Sequence, residues 1–482
     1  MLDKNDKKNL VFFSLICFLF VYPLIQSGIF YRDDLDRAIT GQYGWKSLGR
    51  PVADLMMRIL SASGKKNLDL YPYTIILSIL FIAISALFLY KYLEKKEIKH
   101  SFFVASLLIF NPYILQNFLY RFDSSGMALA FLLSVIAYTY DNKKSLFTLS
   151  IRVISGIIAL SIYQPCVNIF IGFAAIDLAI FTIRKENKLN QVIKHLSTKA
   201  GEFILFYILY ILLVAKIWKN PSSRSAIVSI NSDGFDRVMH TIKEPYNLIV
   251  AFMHDPVYIY FLIPIIGILT LSLIKTFKAK KLRLISIVYT LLSIFIFYIS
   301  LLGPTLILQE SPVYARTLVS FSVIFIIMAI LLIGINEKFK YLVIIPVITV
   351  FAFSAQLSNA LKEQRNHEDF VFNMISRDLL KIGELNEIRT IGTININERT
   401  KIILNQKPAI NYFLSPAEEF IASFQLVNKG FTNTNHGYWE EHKNKIIFNN
   451  FLSENISPLI QNREYSIYVK DKTAIIRLGN NL

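Results

Sequence analysis

The chain has 482 residues, 54% of them hydrophobic, and a mean hydropathy of +0.46. Stretches of about 17–20 apolar residues recur over most of its length, each long enough to cross a hydrocarbon core, which excludes an ordinary soluble globular fold. The formal charge of +17 does not point to nucleic acid: residues 359–482 hold 15 Lys/Arg against 14 Asp/Glu, so the positive excess lies in the apolar part.

In chain order, about eleven spans are predicted, at 10–30, 71–90, 101–117, 124–140, 145–162, 166–183, 201–217, 257–274, 284–302, 315–334 and 340–358. The first is too long and too aromatic for a cleaved signal peptide and no small-residue cleavage site follows it, so it reads as a retained anchor. Orientation follows from basic residues in the connections. With the N-terminus inside, the inside segments carry Lys4, Lys7 and Lys8, then Lys91, Lys95, Lys96 and Lys99, then Lys143 and Lys144. The remaining ones carry Arg184, Lys185, Lys188 and Lys194, then Lys278, Lys280, Lys281 and Arg283, then Lys338 and Lys340. An odd number of spans places the C-terminal tail outside. Cys17 and Cys166 both fall within spans, as small buried hydrophobes rather than a disulfide framework or a zinc site.

Outside loops are expected at 31–70, 218–256 and 303–314. The first holds two short amphipathic stretches, Asp34–Tyr43 and Val52–Leu60, whose apolar residues (Leu35 and Ile39; Leu55, Met56 and Ile59) suit helices lying in the interface. From Asn359 the composition turns polar and Asn-rich. A helix is predicted from Asn359 to about Leu380, a strand at Ile388–Ile394 and a helix from Gly437 to about Leu452. A terminal hairpin pairs Tyr465–Val469 with Thr473–Arg477. A small C-terminal α/β domain on the outer face fits these signals. No Gly-x-Gly-x-x-Gly or Walker-type phosphate loop is present, so a soluble nucleotide is not the evident donor.

The chemistry concentrates where the first span ends, at Phe30-Tyr31-Arg32-Asp33-Asp34-Leu35-Asp36-Arg37, followed by Trp45 and Gly49-Arg50-Pro51. Charge at a bilayer boundary is costly and unnecessary for anchoring, which makes it a functional-site candidate. Activation of a sugar hydroxyl needs a general base, and Asp33 or Asp34, partly shielded from water, suits that task. The alternative is that the pair only caps the following helix. Arg32, Arg37, Arg50, Arg58, Arg121 and Arg316 all map to outer ends of spans, against the inside bias of positive charge. Guanidinium groups match phosphate bidentately, and a lipid-phosphate leaving group needs such a clamp as its charge develops. Snorkelling to ordinary head groups is the bland alternative for any one of them. Tyr120-Arg121-Phe122-Asp123 and Tyr163-Gln164-Pro165 are tight outer turns that add polar side chains. Asp36, Asp123, Tyr163 and Gln164 are the sugar- and acceptor-binding candidates. Arg152 and Asp177, each about seven residues into its span, are expected to form a structural ion pair. His436, Glu440 and His442 match no common metal-site spacing.

These residues together resemble a known family. Phe30-Tyr31-Arg32-Asp33-Asp34, Gly41-x-Tyr43-Gly44-Trp45, Gly49-Arg50-Pro51, Tyr120-Arg121-Phe122-Asp123, Tyr163-Gln164 and Tyr314-x-Arg316 are similar to the glucosyltransferase family that includes phage-encoded serotype-converting O-antigen glucosyltransferases. The resemblance covers most of the membrane part (1–358); the C-terminal domain (359–482) agrees only in size and placement. It implies a GT-C-like polytopic α-helical membrane enzyme of the bacterial inner membrane, with a small C-terminal periplasmic α/β domain. The implied donor is a polyprenyl-phosphate-linked sugar, undecaprenyl-phosphate glucose, and the implied acceptor a lipid-linked O-antigen or other surface polysaccharide. On this resemblance Asp33 and Asp34 are catalytic, and Arg32, Arg37, Arg50, Arg121 and Arg316 bind the donor phosphate. The expected reaction is a single inverting displacement. No cofactor is required by it, although clustered carboxylates leave Mg²⁺ or Mn²⁺ open. Aromatic residues of the C-terminal domain (Tyr412, Phe413, Tyr438, Trp439) are candidates for stacking on sugar rings. The rival class is a glycan flippase or transporter, which would put its ionisable groups near the bilayer midplane, often in repeated halves.

Overall fold

The computed structural model describes residues 3–142, 145–184, 189–220, 226–254, 259, 262–270, 282–437 and 439–479. The basic residues expected at 143–144, 185–188 and 278–281, and Tyr438, lie outside the described residues, as does part of the span expected at 257–274, of which 259 and 262–270 are helical. Among the described residues, six helices are long and apolar enough to cross a membrane, and three further apolar helices are shorter.

The first helix begins and ends where its sequence dictates. α1 (Lys4–Ser27) starts on a reciprocal cap between Asp3 and Asp6 and stops at Gly28, whose φ of +57° an L side chain rarely adopts. It packs against α4 (Tyr73–Lys95), and Lys91 Nζ meets Asp6 Oδ2 at 2.5 Å, pinning the start of one to the end of the other. Lys95 pairs with Asp141 and Lys99 with Glu337 at the same end of the bundle. The opposite end therefore gathers the segment 28–72, the turns at 120–123 and 161–167, and residues 303–317. Between α1 and α4 lie α2 (Asp34–Thr40) and α3 (Pro51–Leu60), close to the two amphipathic stretches expected there. Leu35 is buried in the protein, whereas Leu55 and Ile59 are exposed.

Several expected spans are built differently. Residues 101–117 form no single helix: α5 (Ser101–Ser106) passes through a tight turn and a break at Asn111-Pro112 before α6 (Leu115–Leu119). Pro112 lacks an N–H, and the buried Asn111 amide beside it serves a different segment, donating to the carbonyls of Leu318 and Val319 at 2.9 Å each. Those carbonyls belong to the second correction, since 315–334 is a short turn at Ala315–Thr317 followed by a helix over only Val323–Ile335. The two irregular segments satisfy one another inside the protein, where broken backbone is tolerated at membrane depth. α7 (Ser124–Thr139), α8 (Ser145–Leu160) and α9 (Asn168–Arg184) follow as expected helices. α10 (Leu189–Tyr210) starts twelve residues before the expected 201, at a polar stretch of sequence.

That polar stretch overturns the expected pairing of Arg152 with Asp177. Arg152 Nη1 meets Glu202 Oε1 at 2.8 Å, and Lys199 Nζ meets the other Glu202 oxygen at 3.1 Å. Asp177 accepts from the hydroxyls of Tyr92 and Tyr138 and lies 2.6 Å from His195 Nε2. α10 thus supplies a partner to each buried charge, which the consecutive-helix argument overlooked.

The last apolar segment does not stop at Ser358. One helix runs from Ile344 to Ile382, 39 residues and roughly 58 Å of rise, about twice a hydrocarbon core. Its far end presents Val371, Phe372, Ile375 and Leu379 to a separate core with Ile388, Tyr465, Ile467 and Ile476. The expected helix at 359–380 is therefore the continuation of the last apolar one. Beyond it, β1 (Glu387–Gly392), β2 (Ile460–Gln461), β3 (Tyr465–Lys470) and β4 (Thr473–Leu478) form a sheet in the order β1-β4-β3-β2. β1 runs parallel to β4, and β3–β4 is the expected hairpin. The helix expected near 437–452 is Glu440–Ser453.

Glu202→Leu leaves two buried cations without a carboxylate, a loss of order 3 kcal/mol. Melting of the purified protein in detergent is expected to fall accordingly; an unchanged midpoint would show that the pairs do not stabilise the bundle.

Candidate active site

After Gly28, the chain turns at Arg32, a non-glycine residue with φ +51°. Such backbone is uncommon for a side chain of this size and marks over-determined, often functional, turns. It points the next two residues in different directions. Asp33 occupies the N-cap position of α2, but its side chain makes no capping hydrogen bond. Its Oδ2 lies 3.4 Å from Arg37 Nε, with a quarter of the side chain (26%) exposed. Asp34 is fully buried, and its Oδ2 accepts the N–H groups of Tyr31 (3.1 Å) and Arg121 (3.0 Å). Its Oδ1 has no hydrogen-bond partner. Burial, and then neighbouring Asp33, hold the Asp34 carboxyl well above the usual carboxylate range, against the pull of the two backbone donors.

Arg37 is nearly buried. Its guanidinium stacks 4.3 Å from the Trp45 ring and lies 3.8 Å from Asp123 Oδ2, while Trp45 Nε1 donates to Asp123 Oδ1 at 2.6 Å. A second arginine is held alongside. Arg50 Nε donates to Gln164 Oε1 (2.8 Å) and its guanidinium lies 4.8 Å from the Tyr163 ring. Gln164 is fixed in turn by Leu48 O and the Tyr210 hydroxyl. Burial depresses the Arg50 guanidinium, with Arg316 adding to the effect and Tyr163 and Asp123 opposing it. Arg316 Nη1 donates to the Tyr120 hydroxyl and its guanidinium is 5.3 Å from the Tyr314 ring; Asp33 and Tyr163 are within its electrostatic reach. Arg32 lies 5.9 Å from the same Tyr314 ring, and its Nε is buried without a hydrogen-bond partner.

The structure thus brings Asp33, Arg32, Arg37, Arg50, Arg316, Asp123, Tyr163 and Gln164 into one group, with Asp34 behind Asp33. Two candidates face elsewhere. All the Arg121 side-chain nitrogens are occupied: Nε donates to Ile29 O (3.0 Å), Nη2 to Gly28 O, and Nη1 meets Asp69 Oδ2 at 2.8 Å. This guanidinium satisfies the two carbonyls just past the end of α1 and sits between the Phe30 and Tyr71 rings. Asp36 accepts from Gln42 Nε2 (2.5 Å) and Thr40 Oγ1 (3.3 Å). Burial raises its carboxyl above the ordinary value.

The C-terminal region reaches this group directly. The Tyr31 hydroxyl donates to Phe413 O at 2.7 Å, and α2 packs against the helix Glu419–Asn428. Phe413 itself is buried against Phe353, Tyr412 is 38% exposed and Trp439 is 92% exposed. His436 Nδ1 donates to Thr434 O and Glu440 pairs with Arg389. Among the described residues no three His, Cys, Asp or Glu side chains converge as a metal site.

Two polar residues escaped the sequence reading. Asp54, buried on α3, binds Arg58 Nε at 2.7 Å. Gln116, buried in α6, contacts Tyr31, Tyr412 and Arg316. An amide inside an apolar run was the available signal for Gln116.

A family model described as glucosyl transferase GtrII matches residues 22–333, a stretch that contains every member of the group above. The chain is also 25% identical over 415 residues, 81% of its own length and 83% of the other's, to a Salmonella phage P22 protein described as an uncharacterized 55.3 kDa protein in the gtrB 5′ region. No solved structure matches. With the match running from the end of α1 through the Arg316 turn, the chain belongs to the GtrII glucosyl transferase family.

Proposed function

We propose that this glucosyltransferase moves glucose from a polyprenyl-phosphate donor to a hydroxyl of a lipid-linked O-antigen or other surface polysaccharide, on the periplasmic side of the bacterial inner membrane and with inversion. The observation that carries the reading is the pairing of a partly open carboxylate, Asp33, with a group of guanidinium side chains that outnumber the acids beside them. An anionic ligand completes such a group; Arg32 Nε in particular is buried without a partner.

In this reading the prenyl phosphate is held by Arg32, Arg37, Arg50 and Arg316, whose charge offsets the negative charge that develops as the glycosidic bond breaks. Asp33 takes the proton from the acceptor hydroxyl. That oxygen bonds to the anomeric carbon while the C–O bond to the lipid phosphate breaks, and the phosphate leaves as an anion held by the arginines. Asp34 orients the turn and does not touch the acceptor, since it is wholly buried. Asp123, Trp45 and Tyr163 flank the sugar position. Residues 1–358 form the transferase part, and 359–482 cover the same end of the bundle, where they grip the acceptor glycan. Arg121 serves as an anchor of α1 rather than a phosphate ligand.

Asp33→Asn is expected to lower turnover by about 10²–10⁴-fold in an assay with undecaprenyl-phosphate glucose, the usual contribution of a general base. Asp34→Asn keeps an acceptor for the two backbone donors and should retain measurable turnover. Full activity of Asp33→Asn would eliminate the proposed base. Arg50→Gln should raise the donor KM by roughly 10–100-fold, the value of a charged hydrogen bond, and Arg121→Gln should lower stability instead. A donor KM that responds to Arg121→Gln and not to Arg50→Gln would reverse the assignment.

The raised Asp34 carboxyl also predicts a pH dependence of stability. The folded chain keeps this proton at pH values where the unfolded chain has lost it, so stability falls as pH rises from the ordinary Asp range through the raised value. Asp34→Asn removes that slope. Melting curves from about pH 4 to 8 should show the variant gaining on the wild type as pH rises; a pH-independent difference would contradict it.

A further inference from the structure

We propose that Gln116 is a positioning residue for glucosyl transfer, setting the acid turn and Arg316 in register with the 408–413 segment of the C-terminal region. The inference rests on the reading of Asp33 as the base.

Gln116 is 1% exposed and joins three segments far apart in sequence. Its Nε2 donates to the Tyr31 hydroxyl at 2.8 Å and to Tyr412 O at 3.1 Å, and its Oε1 accepts the Arg316 N–H at 2.7 Å. The Tyr31 hydroxyl passes its own hydrogen to Phe413 O at 2.7 Å. Only one orientation of the amide fits these partners. Rotated by half a turn, it would set its oxygen against the Tyr412 carbonyl and its NH₂ against the Arg316 N–H. No other side chain of this length presents two donors and an acceptor in one plane.

From this amide the connections close into a circuit around the site. The Tyr31 N–H donates to Asp34, which also accepts from the Arg121 N–H. Tyr120, next to Arg121, packs edge-on to Tyr31 with ring centroids 4.9 Å apart, and its hydroxyl accepts from Arg316 Nη1. Arg316 returns to Gln116 through its backbone. A shift of the 408–413 turn therefore displaces the Tyr412 carbonyl, the amide, and with it both Tyr31 and Arg316. Because Tyr31 is two residues before Asp33, the base and the phosphate ligand move together.

Gln116→Leu deletes all three bonds, and Tyr31→Phe deletes the hydroxyl alone, a smaller change should the first variant fail to fold. With undecaprenyl-phosphate glucose as donor and membranes bearing lipid-linked O-antigen as acceptor, each is expected to lower kcat by about 10–100-fold, the effect of misplacing reacting groups by an ångström. Donor KM should stay within about threefold, since the guanidinium groups remain. The double variant should be slower than Gln116→Leu by less than Tyr31→Phe costs on its own, because the two changes share the Gln116–Tyr31 bond and only the bond to Phe413 O is lost in addition. Hydrogen exchange in Gln116→Leu should quicken together in peptides covering 30–37, 314–318 and 408–414, and stay unchanged at β1. A kcat within about threefold of wild type in both single variants, or additive effects in the double, overturns the inference. Full turnover in Asp33→Asn would instead sink the base, leaving the Gln116 junction to be judged by the exchange data alone.

Discussion

The arrangement depends on one buried carboxyl group. Asp34 is out of contact with water and has two oxygens to satisfy, and one of them accepts two main-chain N–H groups from different parts of the chain. A buried acid without such donors is costly, and a pair of backbone donors cannot be supplied by a mobile side chain. The requirement fixes Tyr31 and Arg121 relative to each other, which ties the end of α1 to the turn before α7. The Arg32 backbone follows from it: the chain must reverse between Tyr31 and Asp34, and a left-handed residue at position 32 does so in the space available. That reversal is what leaves Asp33 facing the arginines while its neighbour faces the interior.

Electrostatics around Asp33 then favour an anion. Four guanidinium groups (Arg32, Arg37, Arg50, Arg316) surround Asp33 and Asp123, and several of these cations lie against aromatic faces at 4.3–5.9 Å. Aromatic rings stabilise a buried cation without neutralising it. Carboxylates in the same places would have cancelled the charge. The choice of Trp45, Tyr163, Tyr120 and Tyr314 keeps the site positive, while hydrogen bonds donated to Gln164 and Tyr120 hold the guanidinium planes still.

The sequence made much of this visible, because hydropathy and charge placement are local properties. The acid-rich turn, most arginines, the two loop helices and the terminal hairpin can all be read from residue type and spacing. What cannot be read is where apolar chain ceases to be helical. Residues 101–117 and 315–334 are as hydrophobic as true spans, and the Asn111 amide at the break meets carbonyls two hundred residues away. Partner choice fails for the same reason. Arg152 and Asp177 are on consecutive helices of suitable depth, but α10 carries Glu202, Lys199 and His195 into the gap, and a window search for apolar residues begins after most of that stretch. Arg121 looked equivalent to its neighbours because charge at a span end has two uses, ligand binding and the satisfaction of backbone carbonyls, and composition does not separate them.

Helix length explains how a charged site comes to be shielded. α4 has 23 residues and α7, packed beside it, has 16; the difference of seven is roughly 10 Å of rise. The two are level at one end, where Lys95 at the foot of α4 pairs with Asp141 just past α7. The shortfall is therefore at the other end, and Ser124, with Asp123 before it, starts about 10 Å below the first residue of α4. α8, with 16 residues, and the helix after Arg316, with 13, are also shorter than a hydrocarbon core. The hollow left by these short helices is filled by the 31–70 loop, the 120–123 and 161–167 turns and the Arg316 turn, which carry the charged group, with longer helices standing around them. Attraction between a guanidinium and a phosphate is stronger there than in open water, because the surrounding medium screens it less. The same irregular backbone that defeats a hydropathy reading thus sets the charges below the ends of the longer helices, the position that the proposed phosphate binding calls for.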